Sequence, residues 1–254
     1  MSRPRKWGRG RDHGRGAGMN QQAIVTGRVR RRLVLWRHGR TAWNVEKRAQ
    51  GQADIPLDPV GRLQARSAAP VLAAFEPAFV WSSDLQRARH TAQELAALTG
   101  LEVRLDARLR EYDVGIRQGT TFAEFRESHP EVYERFFTQE DYRVPGAELP
   151  SEVDARMAAV LGDAAAALEE GRTGVLVGHG AALRSGVLAF LGAPPELRDM
   201  FAGMANCAWT VLQEHPHRGW QVADYNARTL PGESSALADE MPAHHVSKNA
   251  DPAG

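Results

Sequence analysis

The chain has 254 residues, 43% of them apolar and 25% charged, which suits one globular domain with a full core or at most two small ones. Its formal net charge of +1 conceals an asymmetry: residues 1–32 carry ten Arg or Lys against Asp12 alone, leaving 22 basic and 30 acidic residues beyond them. An acidic body excludes broad nucleic-acid binding outside the N-terminal arm, and the single cysteine, Cys207, excludes an internal disulfide.

Residues 1–28 are rich in Arg and Gly and have no apolar run, so they read as a basic disordered tail. An over-long reading frame is a second reading of the same residues, and polyanion binding by the arm a third. The arm lacks the apolar stretch of a signal peptide, and no segment of the chain reaches membrane-spanning length. A membrane partner is therefore not expected, and the cytoplasm is the expected location. Residues 231–254 are polar and patternless and read as a second tail, which leaves 29–230 for the folded domain.

Within that domain short apolar runs alternate with helical patterns, the mark of a βαβ parallel sheet. Leu33-Val34-Leu35-Trp36 reads as a buried strand. Asp58-Pro59 opens a helix with a capping carboxylate and Pro at the first position; Val60, Leu63, Val71 and Leu72 suit its apolar side, and Pro70 should kink or split it. Phe79-Val80-Trp81 is the next strand. Ser83-Asp84-Leu85-Gln86 fits a capping box, after which Leu85, Ala88, Ala92 and Leu95 share one helical face.

The segment from 118 to 150 breaks the alternation with Phe122, Phe125, Val132, Phe136 and Phe137. It reads either as a small helical cap over the strand ends, where open parallel sheets bind ligands, or as helical packing at the sheet edge. Ser151-Glu152-Val153-Asp154 opens a helix that buries Val153, Met157, Val160, Leu161, Ala164 and Leu168 and closes at Gly171. Val175-Leu176-Val177 is a strand, Ala181 to Leu191 a helix, and strands follow near 207–212 and 220–223; Cys207 reads as a buried structural thiol. The expected architecture is a three-layer α/β/α fold with a mostly parallel central sheet.

Two histidines sit where apolar strands end, each followed by glycine: His38 in Arg37-His38-Gly39 and His179 in Gly178-His179-Gly180. A parallel sheet brings both to its carboxyl edge although 141 positions separate them, and glycine lets backbone approach a ligand closely. Arg37 adjoins one of them, and Arg87 falls in the first turn of a helix. Guanidinium forks match phosphate oxygens, and helix N-termini add free N–H groups. No cluster has metal-ligand spacing, so neither metal nor cofactor is expected; Glu214-His215-Pro216-His217 reads as a polar turn.

At these residues a resemblance becomes plain. Arg37-His38-Gly39-Arg40-Thr41-Ala42-Trp43-Asn44 resembles the signature of the histidine phosphatase superfamily, phosphoglycerate-mutase-like branch. Gln50-Gly51 with Asp54, Ser82-Ser83-Asp84-Leu85 through Arg87-Ala88, Leu109-Arg110-Glu111 and Gly178-His179-Gly180 agree in order, over about residues 32–226.

The resemblance implies that His38 is the phosphoryl-accepting nucleophile and that Arg37, Arg87 and His179 surround the phosphoryl oxygens. It makes Glu111 the general acid–base, with Asn44, Gln50, Gly51 and Gly180 among the substrate-binding positions. It also implies a metal-independent phosphomonoesterase with a small-molecule substrate, in a family where several members pair into homodimers. Two departures fall near the suspected cap: Gly115-Ile116-Arg117-Gln118-Gly119 lacks the tryptophan of the family's Gly-x-Trp-x-Gly, and Gly146-Ala147-Glu148-Leu149 replaces Gly-Gly-Glu-Ser.

The longer stretch that mutases of the family carry after the acid residue is absent, which favours hydrolysis over mutase transfer. The stretch 201–210, with Tyr225-Asn226-Ala227, is similar to that of the glucosyl-3-phosphoglycerate phosphatase group, which implies a phosphorylated sugar or sugar acid. Ribazole phosphate, sugar bisphosphates and broad phosphomonoesters remain alternatives. So does a non-enzymatic phospho-ligand or polyanion-binding protein, although simple anion binding requires neither a nucleophile nor an acid.

Overall fold

The structure, a computed structural model, describes residues 30–139 and 142–229. The two tails therefore lie outside the described residues. Six strands form one sheet: β1 (Arg32–Arg37), β2 (Pro77–Ser82), β3 (Val103–Leu105), β4 (Thr173–Gly178), β5 (Trp209–His215) and β6 (Gly219–Ala227). Their order is β3-β2-β4-β1-β5-β6, with β3, β2, β4 and β1 parallel and β5 antiparallel to both its neighbours. The sheet is thus mostly parallel, as the alternation of runs predicts.

Alternate residues of the central strands point to opposite faces and separate two cores. Val34, Trp36, Val80, Val175 and Val177 pack against helices α2 (Pro59–Ala73) and α3 (Gln86–Thr99). Leu33, Leu35, Trp81 and Leu176 pack against α6 (Pro150–Ala166) and α7 (Gly180–Phe190). The result is the expected three layers. The short α1 (Ala42–Val45) precedes α2, and two helices of the 118–150 segment, α4 (Phe122–Ser128) and α5 (Pro130–Thr138), lie between α3 and α6 in sequence.

Helix α2 begins as expected, with Asp58 Oδ1 accepting from the Gly61 N–H at 2.7 Å and Pro59 in the first turn. Its buried stripe is different: Gly61, Ala65, Ala68, Ala69 and Leu72 face inward, while Val60, Leu63 and Val71 are exposed. Small side chains on that stripe let α2 lie close to the sheet and to α3, so the larger apolar residues are left outside. Pro70 neither splits nor ends the helix. It lies on the exposed side within the last turn, where only one backbone bond is lost and the freed carbonyl can turn to water.

The capping box expected at Ser83 does not form. Leu85 is the N-cap residue of α3 and supplies no side-chain bond. Instead Asp54, from the loop after α1, accepts the Gln86 N–H at 2.7 Å through Oδ1. This frees Ser83 for the site described below.

Helix α6 starts one residue earlier than read, at Pro150, and ends at Ala166. Gly171 (φ 83°) serves the turn before β4 rather than closing the helix, and Leu168 is buried from beyond the helix end. Cys207 lies in a turn ahead of β5 at φ 57°, not in the strand. It is buried, and that burial pushes its thiol well above the ordinary range, as a structural cysteine requires.

Candidate active site

Register sets the site. Strands β1 and β4 are adjacent and parallel, with Arg37 opposite Gly178. His38 and His179 are the next residue on each, so both emerge at the carboxyl edge of the sheet. The His38 N–H donates to the Gly178 carbonyl at 3.0 Å, and the two ring centroids are 5.0 Å apart.

His38 is 3% exposed, and its Nδ1 lies 2.7 Å from the Gly39 carbonyl. A carbonyl can only accept, so Nδ1 carries the proton and donates it. In the neutral ring the lone pair then resides on Nε2, which has no partner among the described residues. Burial, followed by the nearby Arg87 and Arg37 charges, holds the imidazole well below its ordinary pKa. The ring is consequently neutral at pH 7 with one nitrogen available as a nucleophile.

The Gly39 backbone that fixes this tautomer is itself fixed. Its N–H donates to Thr91 Oγ1 (3.1 Å), and a side chain at residue 39 would meet the Gly61 carbonyl oxygen at 2.4 Å. Only glycine permits that approach between the His38 loop and the start of α2.

Arg87, fully buried in the first turn of α3, reaches across to the 50–54 loop. Nη1 donates to the Ala53 carbonyl (2.5 Å) and Nη2 to the Gly51 carbonyl (2.8 Å). Its Nε–H donates to His179 Nδ1 (3.2 Å). Burial pushes Arg87 down to about 10, which leaves it charged at pH 7. Gly51 sits at φ 53°, and a side chain there would strike Val114, so the carbonyl that Arg87 uses depends on this glycine.

His179 is placed differently from expectation. With Nδ1 accepting from Arg87, the ring proton is on Nε2, which donates to Ser83 Oγ at 2.9 Å. Both nitrogens are engaged, the residue is fully buried and it does not line the cavity. Burial and the charge of Arg87 hold it well below its ordinary pKa, so it too is neutral. In this arrangement His179 orients Arg87 rather than presenting an N–H to the cavity.

Arg37 donates from Nη1 to the Met204 carbonyl. Gly180 lies against it: a Cβ at 180 would come within 3.1 Å of Arg37 Nε. Asn44 closes the loop after β1. It accepts from the Thr41 N–H (3.0 Å) while Thr41 caps α1, and Asn206 donates to the same Oδ1 (3.3 Å). Gln50 lines the cavity with its Oε1 buried and without a hydrogen-bond partner.

Glu111 follows a 3-10 turn (Ala107–Leu109) and points at the N-terminus of α7. Its Oε1 accepts from the Tyr112 and Ala182 N–H groups, both at 2.9 Å, and its Oε2 from the Ala181 N–H at 3.2 Å. Arg156 of α6 holds this segment from behind. It donates to the carbonyls of Arg108 and Arg110 (2.7 Å each) and Glu111 (3.0 Å), and pairs with both oxygens of Glu148 (2.8 and 2.9 Å). Thus Glu148, in the altered motif of the 118–150 segment, supports the carboxylate indirectly.

Arg37, His38, Asn44, Gln50, Gly51, Arg87, Glu111 and Gly180 line one cavity of about 430 Å³. The rest of its wall comes from α4, α5 and the loop beyond, through residues including Phe122, Phe136 and Val144, and from residues 201–204. The 118–150 segment therefore covers the strand ends. Arg117, where the family's tryptophan is missing, is 5% exposed and sits among Phe122, Phe125 and Phe136 at 4.9, 5.6 and 4.5 Å from their ring centres. Burial pushes it down to about 10. It thus joins the 115–119 loop to the helices that roof the cavity.

Among the described residues, no group of three or more His, Cys, Asp or Glu is arranged to hold a metal ion. No helix among them is long and apolar enough to cross a membrane. Reasoning from sequence missed Ser83, Thr91, Arg156, Asn206 and Arg184 as parts of the site. For Ser83 and Thr91 a signal existed in their spacing from Arg87, and for Arg184 in its place one turn beyond Gly180, whereas Arg156 and Asn206 come from distant elements and leave no local pattern.

The family model described as histidine phosphatase superfamily (branch 1) matches residues 33–228. A glucosyl-3-phosphoglycerate phosphatase of Mycobacterium tuberculosis is 38% identical over 211 residues, covering 78% of this chain and 95% of that protein. An Enterobacter protein named "Probable phosphoglycerate mutase GpmB" is 37% identical over 196 residues, covering 75% and 90%. Among solved structures, a mycobacterial glucosyl-3-phosphoglycerate phosphatase with VO3 superposes with a TM-score of 0.71 at 38% identity, covering 78% of this chain and 99% of that one.

Proposed function

The chain belongs to the histidine phosphatase superfamily, branch 1, and is a phosphoric monoester hydrolase of that kind; from this premise we propose that it works without a metal, through a phosphohistidine at His38. The observation that carries the reading is the Nδ1–H donated to the Gly39 carbonyl, which leaves Nε2 as the free, unprotonated nitrogen in the cavity.

In the first step Nε2 attacks phosphorus in line, and an N–P bond forms as the ester P–O bond breaks. Arg37 and Arg87 offset the charge on the phosphoryl oxygens, and Asn44 and Gln50 contribute polar contacts. His179 contributes through the orientation of Arg87. The protonated Glu111 carboxyl gives its proton to the departing alkoxide. In the second step the Glu111 carboxylate takes a proton from water, whose oxygen attacks phosphorus; the N–P bond breaks and inorganic phosphate leaves.

The substrate in this reading is a small phosphorylated sugar or sugar acid, such as glucosyl-3-phosphoglycerate. Support comes from the relatives of that name and from a cavity of about 430 Å³, larger than a phosphoryl group needs. The protein acts in the cytoplasm on a free small molecule, with no membrane or nucleic-acid partner in the reaction, and as a homodimer if it follows the family habit. A mutase of 3-phosphoglycerate differs only in letting a second substrate molecule, not water, accept the phosphoryl group, and several relatives carry the name of a probable phosphoglycerate mutase.

Phosphate release from a panel of esters, with EDTA present, tests the reading. The panel holds glucosyl-3-phosphoglycerate, 3-phosphoglycerate, ribazole phosphate, sugar phosphates and p-nitrophenyl phosphate. Turnover in EDTA by the wild type and none by His38→Ala is the expected result. A folded wild type that releases phosphate from none of them would refute it, and conversion of 3-phosphoglycerate to its isomer without net release would replace hydrolysis by mutase transfer.

A further inference from the structure

Arg184 is a cation of the cavity wall that has no part in the reaction as described so far. Arg184 lies one turn beyond Gly180 on α7, so its Cα is about 6 Å further along the helix axis from the floor where Arg37 meets Gly180. Gly180, Ala181 and Arg184 all line the cavity, a continuous stripe leading away from the phosphoryl-binding end.

The guanidinium of Arg184 is held in place on one side. Its Nη1 donates to the Phe201 carbonyl at 3.0 Å, which ties it to the 201–204 wall. Its Nε is buried with no hydrogen-bond partner. Asp199 lines the same cavity, yet no ion pair joins it to Arg184, and no other described carboxylate pairs with this arginine. A buried guanidinium N–H without an acceptor is costly, and such a group calls for a ligand oxygen.

The charge of the cavity points the same way. Its wall carries six Arg or Lys against four Asp or Glu. Of the acids, Glu111 is committed to α7 and Glu148 to Arg156. Arg37 and Arg87 suffice for the phosphoryl group, Arg48 pairs with Glu46 and Glu124, and Arg117 packs among aromatic rings, which leaves the cationic charge of Arg184, beside that of Lys47, for a second anionic substituent of the substrate. A planar guanidinium fork suits a carboxylate better than a hydroxyl.

We propose that Arg184 is a specificity-determining residue that binds a carboxylate of the substrate, so that the preferred esters carry a carboxylate a short chain away from the ester oxygen. This rests on the phosphomonoesterase reading of the same cavity. It adds a substrate requirement that hydrolysis alone does not impose.

The test uses two esters that differ in the carboxylate: 3-phosphoglycerate and glycerol phosphate. Their binding to full-length His38→Ala protein is measured by calorimetry, which needs no turnover, and then to the same protein carrying Arg184→Gln or Arg184→Lys. The expected result is that 3-phosphoglycerate binds about tenfold more tightly than glycerol phosphate, in line with one charge-assisted fork. R184Q removes that advantage and leaves glycerol phosphate binding unchanged, while R184K retains part of it.

Retained glycerol phosphate binding shows that each variant is folded. Equal affinities in the parent, an advantage that survives R184Q, or equal loss for both esters would each overturn the proposal. The phosphatase reading fails separately: no phosphate release by wild type from any ester, with the binding preference intact, removes the reaction and keeps the subsite.

Discussion

Arg156 offers the sharpest test of how Glu111 is held. Its guanidinium makes five hydrogen bonds, three to carbonyls of residues 108, 110 and 111 and two to Glu148, and the two side chains are only 16% and 23% exposed. Arg156→Met keeps most of the volume but leaves a carboxylate and three carbonyls to find water at a largely shielded place. Breaking one partner of such a pair costs about 3 kcal/mol, less than a fully buried pair would because water can enter. Urea denaturation should show that loss. The catalytic consequence depends on the leaving group. In the proposed mechanism Glu111 protonates an alkoxide, whereas an acidic phenol leaves without a proton. With the Glu111 segment released, kcat on 3-phosphoglycerate should fall roughly 10- to 100-fold, the range for a displaced general acid, and kcat on p-nitrophenyl phosphate should fall far less. Equal losses on both esters would refute the positioning argument, since they would mean a general disturbance of the site; so would an unchanged kcat on 3-phosphoglycerate in a variant that has lost stability.

Two further outcomes follow from the same geometry. His38 and His179 are both held well below their ordinary pKa, chiefly by burial, so the folded state binds fewer protons than the unfolded chain below about pH 6.5. Stability therefore falls as pH drops through the unfolded value, by up to about 1.4 kcal/mol per histidine for each unit until the folded value is reached. Urea midpoints in phosphate-free buffer at pH 7.5 and 5.5 should differ accordingly, and His38→Gln should shrink the difference; a midpoint independent of pH would contradict neutral buried rings. For the same reason, the acid limb of kcat/KM should lie below pH 6.5. Gly61→Ala should destabilise by about 2–3 kcal/mol, because its Cβ would come within 2.0 Å of the Arg40 carbonyl oxygen, and a thermal melt matching wild type would show that this loop yields freely.

Much of the fold was legible because local pattern and tertiary structure agree. Every strand core read from apolar runs lies in the sheet, and the buried stripes of α3 and α6 match their helical spacing. Two of the errors share a cause: they occur where a distant group replaces a local one. Ser83 looks like a cap until Asp54, about 30 positions earlier, takes that place and leaves the hydroxyl to His179. The large apolar residues of α2 look like its core face until the alanine stripe packs against α3. Residue type and spacing carry no information about which of two competing partners is nearer in space.

The candidate site shows the same division at atomic scale. Glu111, beyond a 3-10 turn, was marked only by the family resemblance, whereas His38, His179, Arg37 and Arg87 could be chosen from the sequence because each stands at a strand end or helix start that the pattern reveals. What each nitrogen does could not. A single carbonyl, that of Gly39, decides that His38 offers Nε2 to the cavity, while Arg87 and Ser83 together leave His179 nothing to offer. The two histidines, alike in sequence context, are thus divided by their hydrogen-bond partners, and the proposed mechanism makes the first the attacking group and the second a positioning group. That division predicts unequal consequences: His38→Ala removes the atom that must bond to phosphorus, whereas His179→Asn removes a support for Arg87. The first should abolish turnover, and the second should leave a measurable kcat with a raised KM for every ester, because a loosened Arg87 weakens binding of the phosphoryl group they share. Loss of turnover to the same floor in both would place His179 among the groups that touch the reacting phosphoryl oxygens and would require its ring to turn when substrate binds.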